Sequence, residues 1–358
     1  MKMLLAGGGT GGHLFPAVAL AEELLGENPE AQLLFVGTHQ GIESRVIPQR
    51  GWPLRTIDIA GFVGTGWRRQ VMLVPKLGRS LRQSLRILRD FQPQVVVGVG
   101  GYASGPLLAA ARLKRYPTLI HEQNAQPGLT NRLLGRWVDR VCVSFPRSAK
   151  RFPAGSTVFT GNPVRRAISD CPPLPNGPPH LLVFGGSRGA RAINEAVVAA
   201  LAHLEGLRDR LTITHQTGEE DLEQVREGYR NAGWDPAAVV PFIDDMSGAY
   251  AKAHLVICRA GATTVAELAA CGRPALMIPY PYAAGDHQSA NAAALARRGA
   301  ALQMPQSDLT PEKLGHLLRE VLADRDLLVS MAGAAHALGR RDAAAAILKE
   351  CRAIARPQ

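Results

Sequence analysis

A histidine follows a run of glycines near the N-terminus, and these residue types together could bind an anion and move a proton. Residues 6–13 read Ala-Gly-Gly-Gly-Thr-Gly-Gly-His, between the apolar segment Met3–Leu5 and a helix that the sequence predicts from about Pro16. A glycine loop that joins a strand to a helix exposes backbone N–H groups at the positive end of the helix dipole, which favours phosphate. His13 has the residue type of a general base, because its ordinary pKa of about 6.5 leaves it largely neutral at neutral pH. The alternative is a surface histidine beside a turn.

A second group of candidate residues lies in the C-terminal half. Residues 259–268 read Arg-Ala-Gly-Ala-Thr-Thr-Val-Ala-Glu-Leu, and the sequence predicts a helix that begins at Thr263 and Thr264. Threonines cap helices, and the N–H groups of a first turn suit a diphosphate. Glu267, expected in that first turn, is either a capping-box carboxylate or an acceptor for the two hydroxyls of a ribose. Gln288 can both donate to and accept from sugar hydroxyls.

Two other kinds of site are not favoured. Gly7, Gly9 and Gly12 fit the dinucleotide pattern G-x-G-x-x-G, which expects an acidic residue at the end of the second strand. That strand ends in Phe-Val-Gly-Thr-His at 35–39, which offers no carboxylate to an NAD or FAD ribose. Asp244 and Asp245 are adjacent, so they point apart or cap a helix at Met246. No DxD-type carboxylate pair follows a strand in the glycine-loop clefts, so we expect no metal site and no obligate cofactor. The five cysteines form no CxxC pair, so neither a zinc site nor a disulfide framework is indicated.

The elements that must position these residues alternate between short apolar strands and helices. This alternation predicts an α/β fold with two doubly wound parallel sheets, because repeated β-α units build parallel sheets with helices on both faces. A Pro-rich segment at 170–179 has the composition of a linker. We expect an N-terminal domain over 1–165 and a C-terminal domain over 166–341, and the sequence leaves open whether a last helix at about 342–358 returns to the first. Predicted strands lie at 32–36, 54–57, 95–99, 118–120, 141–143, 181–184, 211–215, 239–242, 255–258, 275–278 and 301–303.

The positive charge of the chain is confined to its first half. The whole chain has a net charge of +11, and residues 1–163 hold 20 Lys and Arg against 9 Asp and Glu. Such asymmetry predicts an anionic partner for that half. A predicted helix at 71–91 has an apolar stripe and a stripe of arginines, preceded by Phe62, Trp67, Arg68 and Arg69. It is either a core-facing helix with a solvated basic face or a membrane-surface patch. The chain has no signal peptide pattern, and cysteine usage favours the cytoplasm.

Several stretches together resemble the MurG family, the N-acetylglucosaminyltransferases that convert lipid I to lipid II in peptidoglycan synthesis. The resemblance runs nearly end to end and implies a GT-B fold, two Rossmann-like domains that face a deep cleft. It also implies binding at the cytoplasmic face of an anionic inner membrane, other cell-wall enzymes as partners and no nucleic acid. The stretches that carry it are Gly8–His13, Gly100–Tyr102, His121–Asn124, Gly161–Arg165, Gly185–Ala190, Phe242–Met246 and Gly261–Glu267.

The resemblance also implies a role for each candidate residue. His13 would be the catalytic base that deprotonates the C4 hydroxyl of the MurNAc acceptor, while UDP leaves from UDP-N-acetylglucosamine. Ile243 would contact the uracil, Glu267 the ribose, and Gln288 the sugar. The diphosphate would lie on Ser187, Thr263 and Thr264. Further donor contacts are implied for Thr10, Gly11, Gly12, Asn124, Arg165, Ala262, Val265 and Ala266, and acceptor contacts for Gly100, Gly101, Tyr102, His121 and Glu122. At the sugar loop some members have a glutamine where this chain has His287, so the contact of His287 is left open.

Three rival interpretations remain at this point. The first is another GT-B enzyme that acts on UDP-N-acetylglucosamine, such as a 2-epimerase or a transferase to a different lipid. The second is a non-catalytic nucleotide-sugar sensor, which would keep Glu267 and have no use for His13. The third is a nucleic-acid binder, which rests on charge alone and has no recognised motif behind it.

Overall fold

The computed structural model describes residues 1–59, 67–186 and 189–357; the side chains of 67–75 and of Ala284 lie outside that description. The chain divides into unit 1, residues 1–166 with 341–358, and unit 2, residues 167–340. The strands are β1 (Lys2–Ala6), β2 (Gln32–Gly37), β3 (Leu54–Thr56), β4 (Val95–Gly98), β5 (Thr118–Glu122), β6 (Arg140–Val143), β7 (Thr157–Phe159), β8 (His180–Phe184), β9 (Thr212–Gln216), β10 (Val239–Val240), β11 (Leu255–Cys258), β12 (Ala275–Met277) and β13 (Ala301–Gln303). The helices are α1 (Gly11–Glu27), α2 (Glu43–Gln49), α3 (Trp67–Phe91), α4 (Ser104–Leu113), α5 (Leu129–Leu134), α6 (Pro146–Ala149), α7 (Arg166–Ser169), α8 (Arg191–Ala200), α9 (Leu222–Asn231), α10 (Met246–Lys252), α11 (Ala262–Cys271), α12 (His287–Ala296), α13 (Pro311–Ala323), α14 (Arg325–Leu338) and α15 (Ala343–Ile354).

Both units are built on a doubly wound parallel sheet, which confirms the predicted fold class. The strand order is β3-β2-β1-β4-β5-β6-β7 in unit 1 and β10-β9-β8-β11-β12-β13 in unit 2. Successive strand residues face opposite sides of a sheet. In β1, Met3 and Leu5 therefore join a core with α1, whereas Leu4 and Ala6 join one with α4. In sheets of this kind, ligands bind at the carboxyl ends of the strands, where the loops after β1, β4, β8 and β11 lie.

The last helix, α15, belongs to unit 1. Ile347, Leu348 and Cys351 are fully buried in the same core as Met3 and Leu5. Arg140 on β6 also donates to the Glu350 carboxylate at 3.1 Å. The chain thus returns to its first unit after completing its second.

Helix α1 begins at Gly11, so the prediction of a start near Pro16 is wrong. Thr10 is extended, with φ −129° and ψ 159°, and Gly11 is the first helical residue. Pro16 lies inside the helix, where its ring removes one potential N–H donor. Packing of the buried side chains Leu14, Val18 and Leu24 outweighs the poor helix propensity of the two glycines. The consequence is that His13 lies in the first helical turn rather than in the loop.

Helix α3 turns Leu81, Leu85 and Leu88 of its apolar stripe toward the core, whereas Leu77 is exposed. Leu88 is buried, and Leu81 and Leu85 are partly buried against the same core. The arginines at 79, 82, 86 and 89 are exposed. From Leu81 onward the helix is therefore core-facing with a solvated basic face. The preceding loop, with Phe62, and the side chains of Trp67, Arg68 and Arg69 lie outside the described residues.

Candidate functional site

His13 is held by the backbone at the end of β4. Its Nδ1 atom lies 3.2 Å from the carbonyl oxygen of Val99. A carbonyl oxygen can only accept, so Nδ1 carries a hydrogen, and in the neutral ring Nε2 is then the nitrogen that can accept a proton. The ring therefore has a fixed tautomer with a basic Nε2, which is the form a general base needs.

The loop after β4 approaches His13 so closely that only glycine fits there. A Cβ at Gly100, where φ is +89°, would lie 2.7 Å from His13 Nδ1. A Cβ at Gly101, where φ is +79°, would lie 2.4 Å from the carbonyl oxygen of Gly8. The structure thus brings these two predicted acceptor residues to His13 and to the first glycine loop. Tyr102, which follows them, is exposed.

Gln123 links His121 to His13 through the carbonyl oxygen of Val99, a role that the sequence does not predict. Its amide nitrogen donates to Val99 O at 2.7 Å and to His121 Nδ1 at 3.2 Å. His121 is buried, and its Nε2 donates to the carbonyl oxygen of Gly161 at 3.0 Å. Burial lowers the pKa of His121 to about 4, so the ring stays neutral as this pattern requires. Gln123 lies within the predicted stretch His121–Asn124, but its role depends on the convergence of two strand ends, which the sequence does not show.

Glu122 organises the turn that follows β5. Its buried carboxylate accepts from Asn124 N at 2.9 Å, from Gly128 N at 3.1 Å and from Asn131 Nδ2 at 2.9 Å. Burial raises the pKa of this carboxyl group above its ordinary value. Glu122 and His121 therefore hold the loops from inside the fold, whereas Asn124 is only half-buried.

The first glycine loop is not the open anion pocket that the sequence suggests. The Gly7 N–H donates to Val36 O at 3.1 Å, and the Gly9 N–H donates to a carboxylate oxygen of Glu43 at 2.7 Å. Glu43, at the start of α2, is another residue that sequence reasoning missed. Because this carboxylate is buried against the loop, it is not available to a dinucleotide ribose. Thr10 and Gly12 are exposed beyond it, Gly11 is half-buried, and the Arg165 guanidinium lies 4.7 Å from the ring centre of Phe15 on α1.

In unit 2, a buried polar network supports the glycine loop after β8. Within that loop, Ser187 lies outside the described residues. A Cβ at Gly189, where φ is +74°, would lie 1.7 Å from Thr217 O. Asn194 Nδ2 donates to that same oxygen at 3.1 Å, and His215 Nε2 donates to Asn194 Oδ1 at 3.1 Å. Burial lowers the pKa of His215 to about 3, so it too is a neutral member of a fixed network.

Helix α11 begins at Ala262, and Gly261 is its N-cap. Thr263 and Thr264 are therefore its second and third residues, so the prediction that they cap the helix is wrong. Glu267 lies in the second turn, which excludes the capping-box alternative. Its buried carboxylate accepts from the hydroxyl of Tyr250 at 3.0 Å, and burial raises the pKa of Tyr250, which keeps that hydroxyl protonated.

The side-chain oxygen of Gln288 is already occupied. It accepts from Ala260 N at 3.2 Å and from Tyr280 N at 2.9 Å, which joins the loops after β11 and β12. The expectation that Gln288 both donates to and accepts from a sugar is therefore corrected: only its amide hydrogens are left for a ligand. Ile243 is half-buried beside this end of the sheet, between β10 and α10. Asp245 accepts from Gly248 N at 2.9 Å and caps α10, as predicted.

Two Rossmann-type units, each with a glycine loop after its first strand, define the GT-B class of nucleotide-sugar enzymes. The model of the glycosyltransferase family 28 N-terminal domain matches residues 3–143, and that of the C-terminal domain matches residues 180–347. A relative from Syntrophotalea carbinolica is 60% identical over 352 residues, 98% of each chain. It is named UDP-N-acetylglucosamine–N-acetylmuramyl-(pentapeptide) pyrophosphoryl-undecaprenol N-acetylglucosamine transferase. The chain belongs to glycosyltransferase family 28 and, within it, to the MurG family.

Solved structures agree with that assignment. The crystal structure of Acinetobacter baumannii MurG has a TM-score of 0.78 and 37% identity, and the match covers 98% of this chain and 99% of that one. A UDP-GlcNAc 2-epimerase from Neisseria meningitidis, solved with UDP-GlcNAc bound, has a TM-score of 0.67, with 98% and 99% coverage. At 12% identity, the epimerase shows a shared fold alone.

We predict that the buried imidazoles of His121 and His215 stay neutral well below the pH at which a free histidine titrates. A depressed pKa means that the folded state resists protonation, so each ring should remain neutral as the pH falls past 6.5. In an NMR titration, the midpoints should lie at about 4 for His121 and about 3 for His215. His121→Gln and His215→Gln variants assign the signals. A midpoint near 6.5 for either ring would contradict the burial argument.

Proposed function

We propose that this chain transfers N-acetylglucosamine from UDP-N-acetylglucosamine to the C4 hydroxyl of MurNAc in lipid I, which forms lipid II. The observation that carries the proposal is 60% identity, over 98% of the chain, to a relative that bears the name of this transferase. The chain is a glycosyltransferase by family, so the non-catalytic sensor and nucleic-acid interpretations lose their support. The epimerase alternative is supported by fold alone.

We place the donor on unit 2, at the carboxyl end of its sheet. Glu267 accepts hydrogen bonds from the ribose hydroxyls, and Tyr250 fixes the direction of its carboxylate. Gln288 donates its amide hydrogens to a hydroxyl of the sugar, and Ile243 lies against the uracil. The diphosphate lies at the N-terminus of α11, where the first N–H groups of a helix have no acceptor within it. Its other contacts are Ser187, Thr263 and Thr264, with Ala262, Val265 and Ala266 in the same helix.

We place proton transfer on unit 1. His13 Nε2 removes the proton from the acceptor hydroxyl as its oxygen attacks the anomeric carbon, and the bond from that carbon to the UDP oxygen breaks. The electron pair leaves with UDP, and the configuration at the anomeric carbon inverts. The Val99 carbonyl holds the imidazole in the required tautomer and stabilises the imidazolium that forms. Gly100, Gly101 and Tyr102 border the acceptor, while Thr10, Gly11, Gly12, Asn124 and Arg165 contribute contacts to the donor.

The lipid carrier of the acceptor calls for a membrane-facing surface, and unit 1 has exposed large apolar side chains that suit one. Leu113, Leu129, Leu133 and Trp137 on and after α4 and α5 are 68%, 60%, 64% and 63% exposed. We call these four residues the apolar surface. Exposed basic residues surround them in the sequence, namely Arg112, Lys114, Arg115, Arg132 and Arg136. In the described part of the chain, no helix combines the length and apolarity that crossing a bilayer requires.

Exposed large apolar side chains amid basic residues bind an anionic bilayer by insertion and by charge. We therefore propose peripheral binding of unit 1 to the cytoplasmic face of the membrane. The four side chains are not those of the α3 stripe, of which Leu81, Leu85 and Leu88 pack on the core.

The function is tested by incubating the enzyme with labelled UDP-N-acetylglucosamine and a lipid I analogue. The proposed activity yields a labelled disaccharide on the lipid, and the label stays on UDP when the acceptor is omitted. Release of an epimerised or free sugar without acceptor, with no lipid-linked product, would replace the proposal by the epimerase alternative.

We predict that substitutions in the two units affect different quantities: kcat in unit 1 and the Kd of UDP in unit 2. His13→Ala should lower kcat by about 10²–10⁴-fold through loss of the general base, and leave the Kd of UDP nearly unchanged. Glu267→Ala should instead weaken UDP binding by about 10–100-fold, because hydrogen bonds to a charged group are worth about 1.5–3 kcal/mol. Steady-state kinetics and calorimetry measure the two effects, with the exposed His316→Ala as a control. An unchanged kcat in His13→Ala would remove His13 from the mechanism.

We also predict that the apolar surface governs vesicle binding. The double variant Leu133→Ser/Trp137→Ser should bind anionic vesicles at least about 10-fold more weakly in a sedimentation assay. The reason is that each large apolar side chain buried in the bilayer contributes about 1.5–3 kcal/mol to binding. The matched control is Leu327→Ser/Val329→Ser, which changes two exposed residues of α14 in unit 2. Equal loss in both double variants, or no loss in the first, would show that the apolar surface is not the binding face.

A further inference from the structure

Glu43 is a buried carboxylate that the proposed chemistry does not use. It is 1% exposed and lies at the first position of α2. One oxygen, Oε2, accepts from Gly9 N at 2.7 Å. The other, Oε1, accepts from Thr38 N at 2.7 Å and from the Thr38 hydroxyl at 3.0 Å. Both oxygens are therefore engaged, and each has a different partner residue.

Three glycines make room for this carboxylate. A Cβ would lie 2.2 Å from Glu43 Cδ if placed at Gly8, 2.4 Å from Cγ at Gly37, and 2.1 Å from Oε2 at Gly41. Real side chains do not approach so closely, so each position must lack a Cβ for the carboxylate to reach the loop. The Glu43 carboxylate is therefore packed within the loop rather than at its edge.

The backbone connects Gly9, which bonds to Glu43, to the helical turn that holds His13. Gly9 precedes Thr10, whose carbonyl oxygen accepts from His13 N at 3.2 Å and from Leu14 N at 3.1 Å. On its other side, Gly8 presents its carbonyl oxygen to Gly101. A shift of Gly9 therefore moves the first turn of α1 relative to the Val99 carbonyl that orients the imidazole.

We propose that Glu43 is a positioning residue of the transfer reaction, which acts through His13 and touches no substrate. The inference rests on the proposed role of His13 as general base. The carboxylate also uses the Gly9 N–H and places a negative charge beneath the loop, so the loop fixes the base instead of binding a phosphate at Gly9.

The variant Glu43→Gln tests the hydrogen bond to Gly9 separately from the hydrogen bonds to Thr38. Its amide oxygen should turn toward the two donors of Thr38, which leaves the NH₂ group facing the Gly9 N–H, donor against donor. We expect kcat to fall about 10–100-fold, because a misplacement of about 1 Å can cost about 100-fold in rate. The Kd of UDP should change less than about twofold. Thr38→Val is the matched control: it removes a donor from Oε1 but keeps the Gly9 contact, so kcat should stay within about threefold of wild type.

The decisive comparison is the double variant His13→Ala/Glu43→Gln. If Glu43 acts through His13, Glu43→Gln should cause no further loss of kcat in the His13→Ala background. The same fold-loss in both backgrounds, or a wild-type kcat in Glu43→Gln, would overturn the inference. An unchanged kcat in His13→Ala would instead overturn the proposed function. If Glu43→Gln does not fold, Glu43→Asp, which keeps the charge and withdraws it from Gly9, is used in the same comparison.

Discussion

The carbonyl oxygen of Val99 is the acceptor on which the geometry of unit 1 depends. It accepts from the imidazole of His13 and from the amide of Gln123, two side chains that arrive from α1 and from the end of β5. A buried acceptor that loses its donors destabilises the fold by about 1–3 kcal/mol. The side chains of His13 and Gln123 are therefore held in position only when the segments after β4 and β5 are both correctly packed. The packing of the strand ends thus fixes the tautomer of the His13 base.

Buried polar groups have the same role in both units. Buried polar groups satisfy one another and fix the loops that carry the proposed substrate contacts, and in unit 2 the buried Glu267 is itself one of those contacts. In unit 1, Glu43 and His121 are buried, and His13 is half-buried. In unit 2, Tyr250 holds Glu267 and Asn194 supports the loop at Gly189. Neutral histidines suit the buried positions, since burial lowers the pKa of His121 and His215 and removes the cost of a charge.

The sequence predicted the architecture well because apolar strand periodicity and glycine loops are local signals. It located eleven of the strands after β1 to within a few residues, but it missed β7 and the short helix α2. The start of α1 was wrong because proline and glycine preferences were given more weight than the packing of Leu14 and Val18. Local propensity is a weak guide where tertiary contacts dominate.

The candidate site was predicted less completely, for a related reason. His13, Gly100 and Gly101 were found because a histidine and glycines in such patterns suggest chemistry by type. Glu43 and Gln123 were missed because their roles arise only when distant segments meet, 34 residues apart for Glu43 and Gly9. Gln288 was found, but its oxygen is already bound to two backbone N–H groups, and only the folded chain shows which half of the amide is left.

The central claim is that the His13 imidazole carries its hydrogen on Nδ1 and presents a basic Nε2. Long-range proton–nitrogen NMR correlation of histidine-labelled enzyme at pH 7.5, assigned with a His13→Gln variant, measures this directly. The account predicts a protonated Nδ1 and an unprotonated Nε2 for this ring. A ring that carries its hydrogen on Nε2 would contradict the bond to Val99 and the base that depends on it.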